Sequence, residues 1–151
     1  MTTREHKNDK TRMKDKKVKD WMHRGVVTRP PETPVSEVAA VMETHDISAL
    51  VITDEKGDAV GVISRTDLVN ARFIQPYMKH WPGLNAEHLM SKPVISVSAS
   101  SSINEAVQLL HEKRIHRLVV VERSTGGVRP VGILSVTDLA RHVGEDMKSE
   151  E

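Results

Sequence analysis

The chain has 151 residues, a mass of 16.9 kDa and a formal net charge of +1, which suits one compact domain or two small subdomains and excludes a large multidomain enzyme. It contains no cysteine, so disulfides, thiolate metal sites and a cysteine nucleophile are excluded. Only 3% of the residues are aromatic, so the core must be aliphatic, and aromatic platforms for stacking bases are not expected.

The charge is unevenly distributed along the chain. Residues 1–19 hold eight basic and three acidic side chains, whereas residues 20–151 hold 14 basic and 18 acidic ones. The only apolar residues before Val18 are Met1 and Met13, so we expect residues 1–17 to form a flexible basic arm. No segment has the apolar run of a signal peptide or a membrane span, which predicts a cytoplasmic protein with no membrane contact.

An internal repeat organises the rest of the chain. Residues 21–53 match the segment 68 positions later at Met22, Val26, Glu37, Ile47, Leu50 and Val51. At an offset of 71, the stretch from Gly61 to Leu68 falls on the stretch from Gly132 to Leu139. These matches divide the chain into repeat 1 (18–72), a linker (73–85), repeat 2 (86–143) and a flexible tail (144–151).

Both repeats predict the same elements in the same order. The elements of repeat 1 are a leading helix at 18–22, a strand at 26–28, a helix from Val35 that begins at Thr33-Pro34, strands at 49–53 and 59–64, and a closing helix at 66–72. Those of repeat 2 are a leading helix at 86–90, a strand at 94–97, a helix from Ile103 capped by Ser102, strands at 118–121 and 130–134, and a closing helix at 137–143.

The predicted fold class is α+β. Each β-α-β-β-α unit has a three-stranded sheet with helices on one face, which is too small to close a core alone. We therefore expect the two units to pack through their sheets by pseudo-twofold symmetry.

The most informative motif is Gly-φ-φ-Ser-x-Thr-Asp, where φ is an aliphatic residue, because it occurs in both repeats where a strand leads into a helix. It places Ser64 with Asp67, and Ser135 with Asp138, at a helix N-terminus, which attracts anions. The Asp carboxylate has the acceptors that grip a ribose diol in dinucleotide-binding folds. The same Ser-x-x-Asp spacing also describes a capping box that needs no ligand, and both interpretations stay open.

Taken in order and twice, these features resemble the cystathionine-β-synthase (CBS) domain. The tandem pair, from about Val18 to Val143, is similar to a stand-alone Bateman module. In family members that bind adenosine nucleotides, the Ser and Asp of the motif contact phosphate and ribose, and residues near the first strand and the following helix start hold adenine. Carried over by position, the resemblance implicates Thr28, Val35, Ser64 and Asp67 for one cleft and Ser96, Ile103, Ser135 and Asp138 for the other.

Repeat 2 adds a basic pair, His116-Arg117, just before a strand. It is similar to the phosphate-binding pair in the regulatory subunits of AMP-activated kinases, and Arg presents a planar fork to phosphate oxygens. Repeat 1 has Ser48 and Ala49 at these positions, so the repeats supply unequal phosphate contacts. A solvated strand edge without a ligand is the competing interpretation.

The leading hypothesis is a non-catalytic sensor that binds AMP, ADP or ATP, or else S-adenosylmethionine or NAD, between the CBS units. It would signal by a conformational shift to an unknown partner protein. We expect that no cofactor is required and that the chain forms a homodimer. The alternative is a ligand-independent dimerisation adaptor. A third possibility is nucleic-acid binding by the basic arm, but the arm has no sequence-reading motif, so it would support nonspecific contact at most. The histidines lack metal-ligand spacing, and Asp67 and Asp138 share equivalent settings, which argues against an acid–base pair and against an enzyme.

Overall fold

The structure is a computed structural model that describes residues 16–74, 83–124 and 127–149. Most of the predicted basic arm (1–15) and most of the predicted linker (75–82) lie outside the described residues. Within the described ranges the chain forms six helices and seven strands of mixed α+β type, so the predicted fold class is confirmed.

The helices and strands follow the order expected from the two repeats. From residue 16 to residue 74 they are α1 (Val18–Trp21), β1 (His23–Arg24), β2 (Thr28–Arg29), α2 (Val35–Thr44), β3 (Ala49–Thr53), β4 (Ala59–Ser64) and α3 (Arg65–Ile74). From residue 83 onwards they are α4 (Ala86–Leu89), β5 (Ser96–Ser98), α5 (Ile103–Lys113), β6 (Arg117–Ser124), β7 (Gly127–Ser135) and α6 (Val136–Ser149).

Each repeat contributes the centre of one sheet. The smaller sheet has the order β2-β3-β4, in which β2 runs parallel to β3 and β4 antiparallel to it, with Ala49 opposite Ser64. The larger sheet has the order β1-β7-β6-β5, in which β5 runs parallel to β6 and the two-residue strand β1 pairs with β7. Sequence analysis missed β1 because two residues carry no periodicity.

The central strands are buried because their side chains are aliphatic and largely β-branched. Leu50, Val51 and Ile52 of β3 are fully buried, and so are Leu118 and Val120 of β6. Each such side chain contributes about 1.5–3 kcal/mol by leaving water. The core around β3 and α2 is formed by Val38, Val41, Met42, Leu50, Ile52, Ile63 and Ala86.

Several predicted boundaries differ from the observed ones. Helix α6 continues to Ser149, so much of the segment expected to be a flexible tail is helical. Its apolar residues recur beyond the predicted end at Val143 as far as Met147. Thr33 does not cap α2: its hydroxyl donates to the carbonyl of Pro30 at 2.8 Å, and Pro34 occupies the N-cap position. The Ser102 cap is confirmed, because its hydroxyl accepts from the Glu105 amide at 3.1 Å.

The described residues divide into two compact units that cross the boundaries of the sequence repeats. The repeat-1 unit comprises residues from 26–95 and 124–130, and the repeat-2 unit comprises residues from 1–25, 96–123 and 131–151. Each unit therefore contains the leading helix of the other repeat.

The leading helix of repeat 1, α1, is bound to the loop before α5 of repeat 2. The amides of Val18 and Lys19 donate to the carbonyls of Ser101 and Ala99, both at 2.9 Å, and the Ile103 amide donates to the Lys16 carbonyl. Val18 and Trp21 are buried there. This backbone pairing makes α1 part of the repeat-2 unit.

The leading helix of repeat 2, α4, makes the equivalent contacts in the repeat-1 unit. The amides of Ala86 and Glu87 donate to the carbonyls of Thr33 and Pro31 at 2.8 and 3.0 Å. The Val35 amide donates to the Leu84 carbonyl at 3.2 Å. Two matching sets of hydrogen bonds thus support the exchange of leading helices.

The glycine that opens each Gly-φ-φ-Ser motif has a packing role. A Cβ on Gly61 would overlap the side chain of Met90, and a Cβ on Gly132 would lie 2.6 Å from the His23 carbonyl and 2.9 Å from Met22 Sδ. Only glycine lets the segment after each leading helix approach the strand this closely.

Among the described residues, no helix is long and apolar enough to cross a membrane.

Candidate functional site

In repeat 2, strand β7 ends at Ser135 and helix α6 begins at the next residue, so the motif forms a strand-to-helix junction. The amide and the hydroxyl of Ser135 both donate to Asp138 Oδ2 at 2.9 Å. The Asp138 amide donates back to Ser135 Oγ at 3.1 Å. This reciprocal pattern is a capping box, so the capping interpretation of the motif is confirmed here.

The repeat-1 junction between β4 and α3 has the same pattern. The amide and the hydroxyl of Ser64 donate to Asp67 Oδ2 at 2.7 and 3.0 Å, and the Asp67 amide donates to Ser64 Oγ at 3.2 Å. Two junctions with the same residues therefore adopt the same geometry.

The Asp138 carboxylate has an oxygen that the helix cap does not use. Asp138 uses Oδ2 for both bonds to Ser135, while its Oδ1 lies 3.7 Å from the Arg141 guanidinium. Its side chain is 13% exposed, so Asp138 is mostly but not fully buried. The helix cap and a ribose contact are chemically compatible because an ionised carboxylate has about four lone-pair sites.

The basic pair of repeat 2 is held at its junction by the backbone. The amide of Val136, the first residue of α6, donates to the carbonyl of His116 at 2.9 Å. His116 is exposed and Arg117 half-buried. The fold thus brings His116-Arg117 to the position where Ser135 and Asp138 begin the helix. The equivalent bond in repeat 1 joins the Arg65 amide to the Ser48 carbonyl at 3.0 Å.

Thr28 and Ser96 lie on strands that do not adjoin the strands carrying the motif serines. Thr28 pairs with Val51 in the parallel ladder, and strand β3 separates it from β4, which carries Ser64. In the same way β6 separates Ser96 from β7, which carries Ser135. Thr28 and Ser96 are both half-buried. A ligand that contacted Thr28 and Ser64 would have to span β3, and one that contacted Ser96 and Ser135 would have to span β6.

Val35 and Ile103 have backbone amides that are already hydrogen-bonded within the protein. The Ile103 side chain is fully buried, and the amides of both residues are bonded to carbonyls of the segments that precede the leading helices. Val35 is half-buried and borders a groove of 280 Å³ in the repeat-1 unit. The other residues that line it are Pro34, Ser36, Ala39, Leu68, Arg72 and Leu84. The groove includes neither Thr28 nor the Ser64–Asp67 pair.

Three charged residues at the junctions were missed by sequence analysis. Arg141 pairs with Asp138 at the visible spacing of three residues along α6. Asp46 and Arg65 form an ion pair at 3.3 Å in repeat 1 although 19 residues separate them. The spacing of the first pair on one helix could have indicated it from the sequence, whereas the second pair is recognisable only in the three-dimensional structure.

Comparison with known proteins identifies the family. The profile of the CBS domain matches residues 18–73 and 86–145. An uncharacterised protein of Methanopyrus kandleri, MK0525, is 33% identical over 127 residues, which are 84% of this chain and 62% of that protein. The inosine-5'-monophosphate dehydrogenase of Methanocaldococcus jannaschii is 28% identical over 83% of this chain but only 23% of the enzyme. The chain thus spans less than two thirds of these relatives.

Solved CBS domain pairs have the same fold. The CBS domain pair of MJ0100, in complex with 5'-methylthioadenosine and S-adenosyl-L-methionine, superposes with a TM-score of 0.74 at 25% identity, covering 86% of this chain and 97% of that one. CBSX2 in complex with AMP superposes with a TM-score of 0.68 at 27% identity, covering 85% and 96%. With both repeats matched by the family profile, the chain belongs to the CBS domain family and contains a tandem CBS pair.

Proposed function

We propose that this chain is a non-catalytic regulatory module that binds an adenosine-containing ligand and responds with a conformational shift. The observation that carries the proposal is the hydrogen bond from the Val136 amide to the His116 carbonyl, because it holds a basic pair beside the Ser135–Asp138 helix start. A cationic fork and a carboxylate at one junction are the donors and acceptors that a phosphate and a ribose diol require.

The neighbouring structures support the class of ligand. One solved CBS pair was bound to 5'-methylthioadenosine and S-adenosyl-L-methionine, and another to AMP. All three ligands contain adenosine. Signalling then requires a ligand that binds one conformation more tightly than another, since only a difference in affinity can move the equilibrium.

Calorimetric titration of the full chain with AMP, ADP, ATP, S-adenosylmethionine and NAD tests the proposal. We expect at least one to bind with a dissociation constant below millimolar and to raise the melting temperature. Arg117→Ala should weaken a phosphate-bearing ligand about tenfold or more, because a charge-assisted hydrogen bond is lost.

The matched control is Arg123→Ala. Arg123 is an exposed arginine of the same strand, six residues along, or roughly 20 Å away at the rise of an extended strand. It should leave the affinity unchanged. The proposal is wrong if none of the five compounds binds at millimolar concentration, or if the two variants lose affinity equally.

A second candidate function is a ligand-independent dimerisation adaptor. The favouring observation is on helix α3, where Val69 and Phe73 are 56% and 76% exposed. Large apolar side chains clustered at a surface favour association. Sedimentation of Phe73→Asp and wild type, with and without AMP, separates the candidates: dissociation by the variant without any ligand response favours the adaptor.

A further inference from the structure

The two strand-to-helix junctions differ in charge although they share a fold. Both have the helix start, the capping Ser and the Asp, so those features cannot distinguish them. The charges at equivalent positions do, and four of these positions are compared, with the repeat-1 residue first: Asp46 and Arg114, Ala49 and Arg117, Arg65 and Val136, and Asn70 and Arg141.

Among these four positions of repeat 1, the one cation, Arg65, is paired with a carboxylate. Asp46 adopts the left-handed conformation with φ 49° just before β3, and its Oδ1 lies 3.3 Å from the Arg65 guanidinium. With Asp67, the three charged groups sum to −1. The Arg65 charge is therefore offset before any ligand arrives.

At the repeat-2 junction the balance is reversed. Arg114 has the same left-handed backbone, φ 53°, but Val136 is the residue equivalent to Arg65, so the ion pair of repeat 1 has no counterpart between these two positions. Arg114, Arg117 and Arg141 outweigh Asp138 and sum to +2 with His116 neutral. Summed over these residues and the motif Asp, the two junctions differ by three elementary charges within the same local fold.

We propose that the two junctions select chemically different adenosine ligands. The repeat-2 junction takes a ligand that carries phosphate, and the repeat-1 junction takes an adenosine derivative with no net negative charge on its 5' substituent. This inference rests on the proposed function and adds the ligand class of each junction. Attraction between a phosphate and nearby guanidinium groups favours the first site, while the carboxylates of Asp46 and Asp67 repel the same anion at the second.

Amide NMR titration of the full chain with AMP and, separately, with adenosine locates each ligand. We expect AMP to shift the resonances of residues 114–117 and 135–138 at lower concentration than those of 46–49 and 64–67. Adenosine should shift the repeat-1 resonances with equal or higher affinity. Raising the salt concentration should weaken AMP binding and leave adenosine binding nearly unchanged, since mobile ions screen exposed charges.

Two charge substitutions test the cause. Arg114→Asp should weaken AMP about tenfold and change adenosine affinity less than twofold, because a charge at the edge of a site acts on the charged ligand. Arg123→Asp is the matched control and should change neither. Asp46→Arg should strengthen AMP binding at residues 46–49 and 64–67 about tenfold, because it removes the partner of Arg65 and adds a cation. Arg114 shows that arginine fits this backbone conformation.

The outcomes separate this inference from the proposed function. If neither AMP nor adenosine shifts any resonance of the two junctions, the proposed function itself fails. If both bind but AMP prefers residues 46–49 and 64–67, or Arg114→Asp weakens adenosine as much as AMP, only the selectivity is wrong.

Discussion

Trp21 of α1 and His142 of α6 stack face to face, with ring centroids 4.9 Å apart and planes 7° apart. The Trp21 indole is 5% exposed. At the equivalent positions of the other repeat the residues are Leu89 and Ala71, so only one unit has this ring pair. The stack anchors the leading helix of repeat 1 on the closing helix of repeat 2.

Trp21→Ala should lower the free energy of unfolding by about 3–5 kcal/mol, the usual cost of truncating a buried Trp. Because α1 pairs with the loop before α5, hydrogen exchange should accelerate at the Ile103 amide, which donates to Lys16. The Val35 amide, which donates to Leu84 in the other unit, should keep its protection.

Leu89→Ala is the matched variant for α4. It should accelerate exchange at Val35 and spare Ile103, the reverse of Trp21→Ala. If each substitution instead exposes the amide in its own repeat, the leading helices are not exchanged.

Ser135→Ala and Asp138→Ala should each reduce stability by about 1 kcal/mol, because each removes one side of the capping box. Both remove the bond from the Ser135 hydroxyl to Asp138 Oδ2, one of the three bonds of the box, so the double variant should lose less than the sum of the two losses. Urea denaturation measures all three. Thr137→Ala, an exposed position in the same turn, is the control. Additive losses would contradict the shared hydrogen bond between the two side chains.

Gly61→Ala and Gly132→Ala should each cost about 1–3 kcal/mol or more from overpacking. The two variants should differ in whether a second substitution, of the neighbouring methionine, restores stability. Met90→Ala removes the Sδ and Cγ atoms that overlap a Cβ at Gly61 and leaves the side-chain Cβ of residue 90 at 2.8 Å, so the double variant should recover part of the loss. Met22→Ala should not rescue Gly132→Ala, because the His23 carbonyl still lies 2.6 Å from the new atom. Thermal unfolding of the two double-mutant cycles checks this, and equal rescue would contradict it.

Asp58→Ala should destabilise the repeat-1 unit by about 1 kcal/mol. Asp58 Oδ1 accepts from the Val128 amide at 2.8 Å, a bond that joins residues 70 positions apart. Exchange at the Val128 amide should accelerate, whereas Glu55→Ala, in the same turn but exposed, should leave it unchanged. Unaltered exchange in Asp58→Ala would show that this bond does not hold the segment.

Much of the fold could be predicted because aliphatic runs and the repeat are local signals. Strands β3 and β4 have the predicted bounds, since each is a buried or half-buried β-branched run between turn residues. Strands β6 and β7 extend beyond the predicted apolar runs because hairpin pairing continues through polar residues such as Glu122 and Arg129. Pairing of this kind leaves no hydropathy signal.

The exchange of leading helices could not be predicted from the repeat. Both repeats offer apolar residues at the same positions of that helix, Val18 with Trp21 in one and Ala86 with Leu89 in the other. Either helix therefore suits either unit by pattern, and the three-dimensional path of the chain decides.

The candidate site was predictable in its chemistry and less so in its geometry. The Ser–Asp pairs and the His116-Arg117 asymmetry are visible in the aligned repeats, and the structure places them at two junctions. The ligand-binding roles of these residues stay predictions, as do those carried over to Thr28, Val35, Ser96 and Ile103. The burial of Ile103 and the ion pair between Asp46 and Arg65 depend on contacts between distant segments, which single-sequence reasoning does not reach.

The exchanged helices also determine how the chain tolerates being cut. A break between residues 74 and 83 leaves two fragments, and each fragment carries one piece of both units. Neither fragment can complete a unit alone. The N-terminal fragment lacks α4, which the repeat-1 unit needs, and the C-terminal fragment lacks α1, which the repeat-2 unit needs. Two separately expressed halves should therefore remain unstable apart and reassemble on mixing, as a natural split-protein complementation pair.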